Sequence, residues 1–135
     1  LINELNLNHS IVTTEYTAPV LSSAYTRTQQ TAQYAGFENI NVDPLINESD
    51  VDREIASGND VIKKHALEHW APDETKERAA RFIDLVQKGE LGYQVYFSHG
   101  MFIASVALLL DDPSIYFDEK RGYVPLQASI TPMNI

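Results

Sequence analysis

A chain of 135 residues, 44% hydrophobic and 21% charged, has the size and mixture of one compact domain able to bury a core. Nineteen acidic against ten basic side chains give a formal charge of −9, which repels nucleic acid and confines any anion site to a small local cluster of donors. The lack of cysteine excludes disulfides and thiolate metal sites, and the longest apolar run, 102–110, is too short to span a bilayer. Neither nucleic acid nor membrane is expected as a partner, and a cytoplasmic location is the default.

In chain order, residues 1–8 set Ile2, Leu5 and Leu7 among polar neighbours, which reads as the tail of a helix already under way and leads to the expectation of a segment ahead of it. Residues 19–22 form a short apolar strand. Ser23 then serves as the expected N-cap of a helix to about Ala35, stopped by Gly36. A second short strand is expected over 40–42. The stretch 43–72 is polar and irregular, with a weak helix over 61–70. Asp73 caps a strong helix through Lys88, with Glu74 and Glu77 early and Ala79, Phe82, Ile83 and Val86 on one stripe. Gly89 and Gly92 end it. Residues 93–97 are β-prone, Ser98, His99 and Gly100 make a turn, and 101–110 form an apolar helix closed by Asp112 and Pro113. A last strand is expected over 128–131. Strands alternating with helices predict an α/β domain over 1–135: a three-layer α/β/α sandwich with a mainly parallel sheet.

In such sheets, ligands gather at the carboxyl ends of strands, where following helices present free N–H groups and the positive end of their dipoles. Arg27, four residues beyond Ser23, can lean back over one strand end and grip a phosphate with two parallel N–H bonds. His99 occupies the matching place after a later strand. Gly100 beside it permits close backbone approach to an anion. Each residue alone is more often a solvated or structural side chain. Two at equivalent strand ends of an acidic protein point to an anion site.

A separate pattern, His65-Ala66-Leu67-Glu68-His69, has the H-x-x-E-H spacing of an inverted zinc-hydrolase motif, with both histidines on one helix face. No third ligand accompanies it, and Pro72 ends the helix at once. The plainer expectations are a solvated helix, or contacts with substrate or with the second subunit of a homodimer.

The string SSAYTRTQQTAQYAG, residues 22–36, resembles the SSPLxRARQTAE segment of the histidine phosphatase (phosphoglycerate mutase-like) superfamily. YFSHGMFIASV, residues 96–106, resembles that family's VVSHGGxIRAL segment, in the right order. DPLINE, residues 43–48, is similar to the segment that delivers an acidic proton donor. ERAARFIDLV is similar to the helix before the SHG strand, and LQASI to a short closing strand. The resemblance runs from about Pro19 onward and implies a phosphatase acting on a small phosphate ester. It makes Arg27 a phosphate-binding arginine, and His99, with Gly100 beside it, the pocket histidine that stabilises the transferring phosphoryl group. Glu48 is then the proton donor, with Asp52 or Glu54 as alternatives under a shifted register. Met101 stands where the family has glycine, which narrows the pocket. Hydrolysis is preferred to mutase action, because no longer mutase-type insertion is recognisable. Neither metal nor organic cofactor is implied.

The family's nucleophile is a histidine in an Arg-His-Gly motif on the first strand. Of His9, His65, His69 and His99, none stands in that motif, and His9 reads as a loop residue. Two expectations follow. Either an N-terminal strand carrying the nucleophile precedes these residues, which is preferred because a sheet without its central strand leaves open edges, or the chain is a catalytically inactive relative that binds a phosphorylated ligand or regulates.

Overall fold

In a computed structural model, the structure describes residues 16–49, 73–111 and 130–135. Its elements in order are β1 (Val20–Ser22), α1 (Thr26–Tyr34), β2 (Ile40–Val42), a 3₁₀ turn (Pro44–Ile46), α2 (Asp73–Gln87), β3 (Tyr96–Phe97) and α3 (Gly100–Leu110). The strands form one sheet in the order β2-β1-β3, with β1 parallel to both neighbours. The expected alternating α/β plan with parallel strands is therefore present.

Each element follows from its residues. β1 is buried along its whole length, as a central parallel strand must be, and its backbone is paired on both sides: Val20 N–H donates to Asn39 C=O and Leu21 N–H to Val95 C=O. Polar α1 buries only Thr28 and Ala32, four residues apart on one face. Gly36, at φ 103°, makes the left-handed turn that ends α1, and a Cβ there would lie 3.2 Å from the Tyr16 ring. α2 carries Asp73 and Glu74 in its first turn, beside the positive end of its dipole. α3 is apolar nearly all round and correspondingly buried, from Met101 and Phe102 through Ala104 to Leu108. It stops at Asp111, which adopts a left-handed conformation.

The main core lies where α2 and α3 pack together against the sheet. Leu21, Ile46, Ala79, Phe82, Phe102 and Val106 form it, and Ile83, Val86, Tyr96, Met133 and Ile135 pack around it. Phe82 meets Phe102 and Tyr96 edge-on, at centroid distances of 5.8 and 5.1 Å. Burying each such aromatic ring contributes about 1.5–3 kcal/mol. The stripe expected on α2 is the face that enters this core. A second aromatic group joins Tyr16, Phe37 and Phe97, the last from β3.

Three expectations need correction. The N-cap of α1 is Tyr25, not Ser23, and Ser23 is drawn into a buried polar contact instead. β3 is two residues long rather than five, with 93–95 approaching as irregular chain. Ile130 and Thr131 are not in a strand, while the other half of that expected strand, 128–129, lies outside the described residues. So do 1–8, the helix expected over 61–70, and Asp112 with Pro113. Among the described residues no helix is long and apolar enough to cross a membrane.

Candidate anion site

The carboxyl ends of β1 and β3 lie side by side, because Ser22 pairs with Phe97 and Ser23 N–H donates to Phe97 C=O at 3.0 Å. Each strand runs at once into a turn and a helix, so Tyr25 and Thr28 from one unit meet His99 from the other, with Arg27 over the Tyr25 ring. The sequence reading placed Arg27 and His99 at equivalent strand ends, and the fold brings these two ends together.

His99 is 9% exposed. Its Nε2 lies 2.7 Å from Ser23 Oγ and 3.2 Å from Thr28 Oγ1, both buried hydroxyls. The Tyr25 ring meets the imidazole edge-on at 4.7 Å between centroids. The Arg27 guanidinium carbon lies over that same Tyr25 ring, 4.7 Å from its centroid. Tyr25 thus links the two expected phosphate ligands. Arg27 is exposed, and among the described residues no carboxylate pairs with it.

Burial, and secondarily the nearby Arg27 charge, pushes His99 down from 6.5 to about 4, so the imidazole is neutral at pH 7. The unfolded chain binds a proton near pH 6.5 and the folded one only near 4. Stability contributed by this group is therefore complete above about 6.5 and is lost as pH falls towards 4. Urea midpoints measured from pH 7 to pH 4.5 are expected to fall more steeply for the wild type than for His99→Gln. Parallel curves for the two proteins would mean that His99 titrates alike in both states.

Glu48 has a different setting from that of a free acid in a pocket. Its Oε1 accepts from Ser49 N–H at 2.8 Å and Phe102 N–H at 3.2 Å, and its Oε2 accepts from Met101 N–H at 3.5 Å. Both oxygens act as acceptors at the start of α3, where an N-cap side chain would ordinarily serve. The residue at the N-cap position is His99 itself, and its ring makes no capping bond. A cap delivered from 54 positions away leaves the imidazole available to Ser23 and Thr28. The carboxylate also takes up amides next to Gly100 that were expected to receive an anion. Asp52 and Glu54, the alternatives to Glu48, lie outside the described residues, as do His9, His65, Glu68 and His69.

The 44–49 segment is fixed against both helices and the β1 turn. Arg78 Nη1 donates to Leu45 C=O at 2.8 Å and Asn47 C=O at 2.9 Å, and Nη2 to Glu48 C=O at 3.2 Å. Its guanidinium lies over the Phe102 ring, and its Nε pairs with Glu74. Ala24 N–H donates to Asn47 Oδ1 at 2.8 Å, and Ser98 Oγ to Ile46 C=O at 2.7 Å.

Sequence reasoning missed Ser23, Tyr25, Thr28 and Arg78 as parts of this arrangement. For the first three a signal existed: polar residues clustered around Arg27 at the end of an apolar strand. Compared with family models, curated proteins and solved structures, the chain matches none.

Proposed function

We propose that Arg27 and His99 hold the phosphoryl group of a small phosphate ester in a phosphoryl-transfer site of the histidine phosphatase type, within a three-layer α/β/α sandwich of the phosphoglycerate mutase kind. One observation carries the reading. A neutral, buried imidazole and an exposed guanidinium with no carboxylate partner among the described residues converge on Tyr25 at two adjacent strand ends. The guanidinium supplies a fixed positive charge with paired donors, matched to the charge on phosphoryl oxygens, and a neutral imidazole donates one further hydrogen bond. The start of α1, where Thr28 N–H already donates to Tyr25 C=O, adds the positive end of its helix dipole. Glu48, the proton donor implied by the family resemblance, serves in this reading to steady the turn that carries His99.

A second reading, a module that binds a phosphorylated ligand without turning it over, is favoured by the absence of any Arg-His-Gly string among these residues. The discriminating experiment measures hydrolysis of an aryl phosphate in the presence of a metal chelator. It compares this chain with the protein including any residues its gene encodes ahead of Leu1. Chelator-resistant turnover in the longer protein supports phosphoryl transfer. Silence in both, with inorganic phosphate still binding, supports the binding module. Activity that the chelator abolishes would displace both in favour of the H-x-x-E-H pattern.

A further inference from the structure

We infer that Ser23 and Thr28 act as positioning residues that lock His99 in its Nδ1–H tautomer, so that Nδ1–H is the donor presented to a phosphoryl oxygen. The inference rests on the site proposed above and adds to it which ring atom works and what fixes it.

The buried hydroxyl protons decide the tautomer. Ser23 is 0% exposed and Thr28 6%, so each hydroxyl proton needs an acceptor inside the protein. Among the described residues, the hydrogen-bond partner of both hydroxyls is His99 Nε2, at 2.7 and 3.2 Å. If Nε2 carried its own proton, it would donate to a hydroxyl oxygen, and the Ser23 and Thr28 hydroxyl protons would lose the acceptor they have among the described residues. A buried donor left unmade costs about 1–3 kcal/mol. With Nε2 bare, its lone pair is an acceptor within hydrogen-bond distance of both hydroxyls, which share it.

The neutral ring then carries its single proton on Nδ1. Among the described residues Nδ1 makes no hydrogen bond, so that proton remains available to a ligand. Burial, and secondarily the Arg27 charge, hold the ring's proton affinity low, so that it carries one proton rather than two at pH 7. Ser23 is not itself a nucleophile despite its close contact with an imidazole, because no substrate reaches a residue with no exposed surface. Thr28 stands where the SSPLxRARQTAE string has alanine, so the second hydroxyl is a feature of this chain.

The test is long-range ¹H–¹⁵N NMR of the His99 ring at pH 7, without and with inorganic phosphate. Expected is a bare Nε2 and a protonated Nδ1, with phosphate shifting the Nδ1 resonance. Thr28→Val, which keeps shape and loses the hydroxyl, and Ser23→Ala should each admit the Nε2–H tautomer and weaken phosphate binding about three- to tenfold. Thr28→Ser should restore the wild-type spectrum. A protonated Nε2 in the wild type overturns the inference, as does an unchanged tautomer in both hydroxyl-free variants. If phosphate moves the Arg27 guanidinium resonance but not Nδ1, the anion site stands and Nδ1 is not its donor. If phosphate moves neither residue, the site proposal itself fails, while the phosphate-free spectrum still decides the tautomer.

Discussion

Replacing Arg27 with alanine is expected to weaken inorganic phosphate binding about ten- to a hundredfold, the loss of a charged donor pair. In any form that turns over, kcat should fall by about a hundred- to a thousandfold, because the guanidinium meets charge that grows in the transition state. The fold should survive. Arg27 is exposed, makes no ion pair among the described residues, and touches its surroundings through the face of Tyr25. Its thermal midpoint is therefore expected to stay within a degree or two of the wild type, an effect of less than about 0.5 kcal/mol. A second readout comes free: with the Arg27 charge gone, one of the two causes holding His99 low is removed, and its pKa should rise. Arg27→Lys should keep that electrostatic effect while losing the flat face that stacks on Tyr25 and the fork that grips two oxygens. Unchanged phosphate affinity in Arg27→Ala would remove Arg27 from the site.

The largest stability effect is expected at Arg78. Arg78→Met should cost about 2–4 kcal/mol, since hydrogen bonds from a charged donor contribute about 1.5–3 kcal/mol each and three of them share one side chain and are not additive. Those bonds run to the carbonyls of Leu45, Asn47 and Glu48, and the same guanidinium covers the Phe102 ring in the core. Methionine retains contact with Phe102 but leaves the three carbonyls to find water. Lysine, with one ammonium in place of a fork, should recover only a fraction. Urea unfolding at pH 7 measures this, and a loss below about 0.5 kcal/mol would show that the 44–49 segment holds its shape without Arg78. The displaced segment carries the carboxylate that caps α3, so the His99 resonances should shift as well.

Much of this fold was legible from local patterns. The stripe of Ala79, Phe82, Ile83 and Val86 marked α2, Gly36 marked the end of α1, and the apolar run after Gly100 marked a buried helix. The juxtaposition of Arg27 and His99 followed from two strand-turn-helix units running the same way. What local patterns left out is of another kind. Ser23 has strong intrinsic preference for an N-cap, yet a buried imidazole offered its hydroxyl a better partner, and helix start moved on to Tyr25. The family resemblance implied a proton donor at Glu48, and spacing alone did not show that its carboxylate accepts from the amides of a helix start 54 positions later. Nothing in the local sequence sets Arg78 apart. Only the tertiary structure shows three carbonyls arrayed in front of it.

The brevity of β3 bears on how this end of the molecule breathes. His99 follows a strand with two residues in register, Tyr96 and Phe97, so the ladder holds it with few rungs. Its position depends instead on side-chain fastenings: the carboxylate under α3, the serine and threonine at Nε2, and the Ser98 hydroxyl on Ile46 C=O. Such fastenings release singly, at a lower free-energy cost than melting a core strand. In hydrogen exchange, the amides of Met101 and Phe102, bonded to Glu48, should therefore lose protection through local opening well before Leu21, whose amide sits in fully buried β1. A ligand bridging Arg27 and His99 would tie the two strand ends together and slow that opening, so protection at two helix-start amides becomes a report of occupancy on the opposite side of the turn.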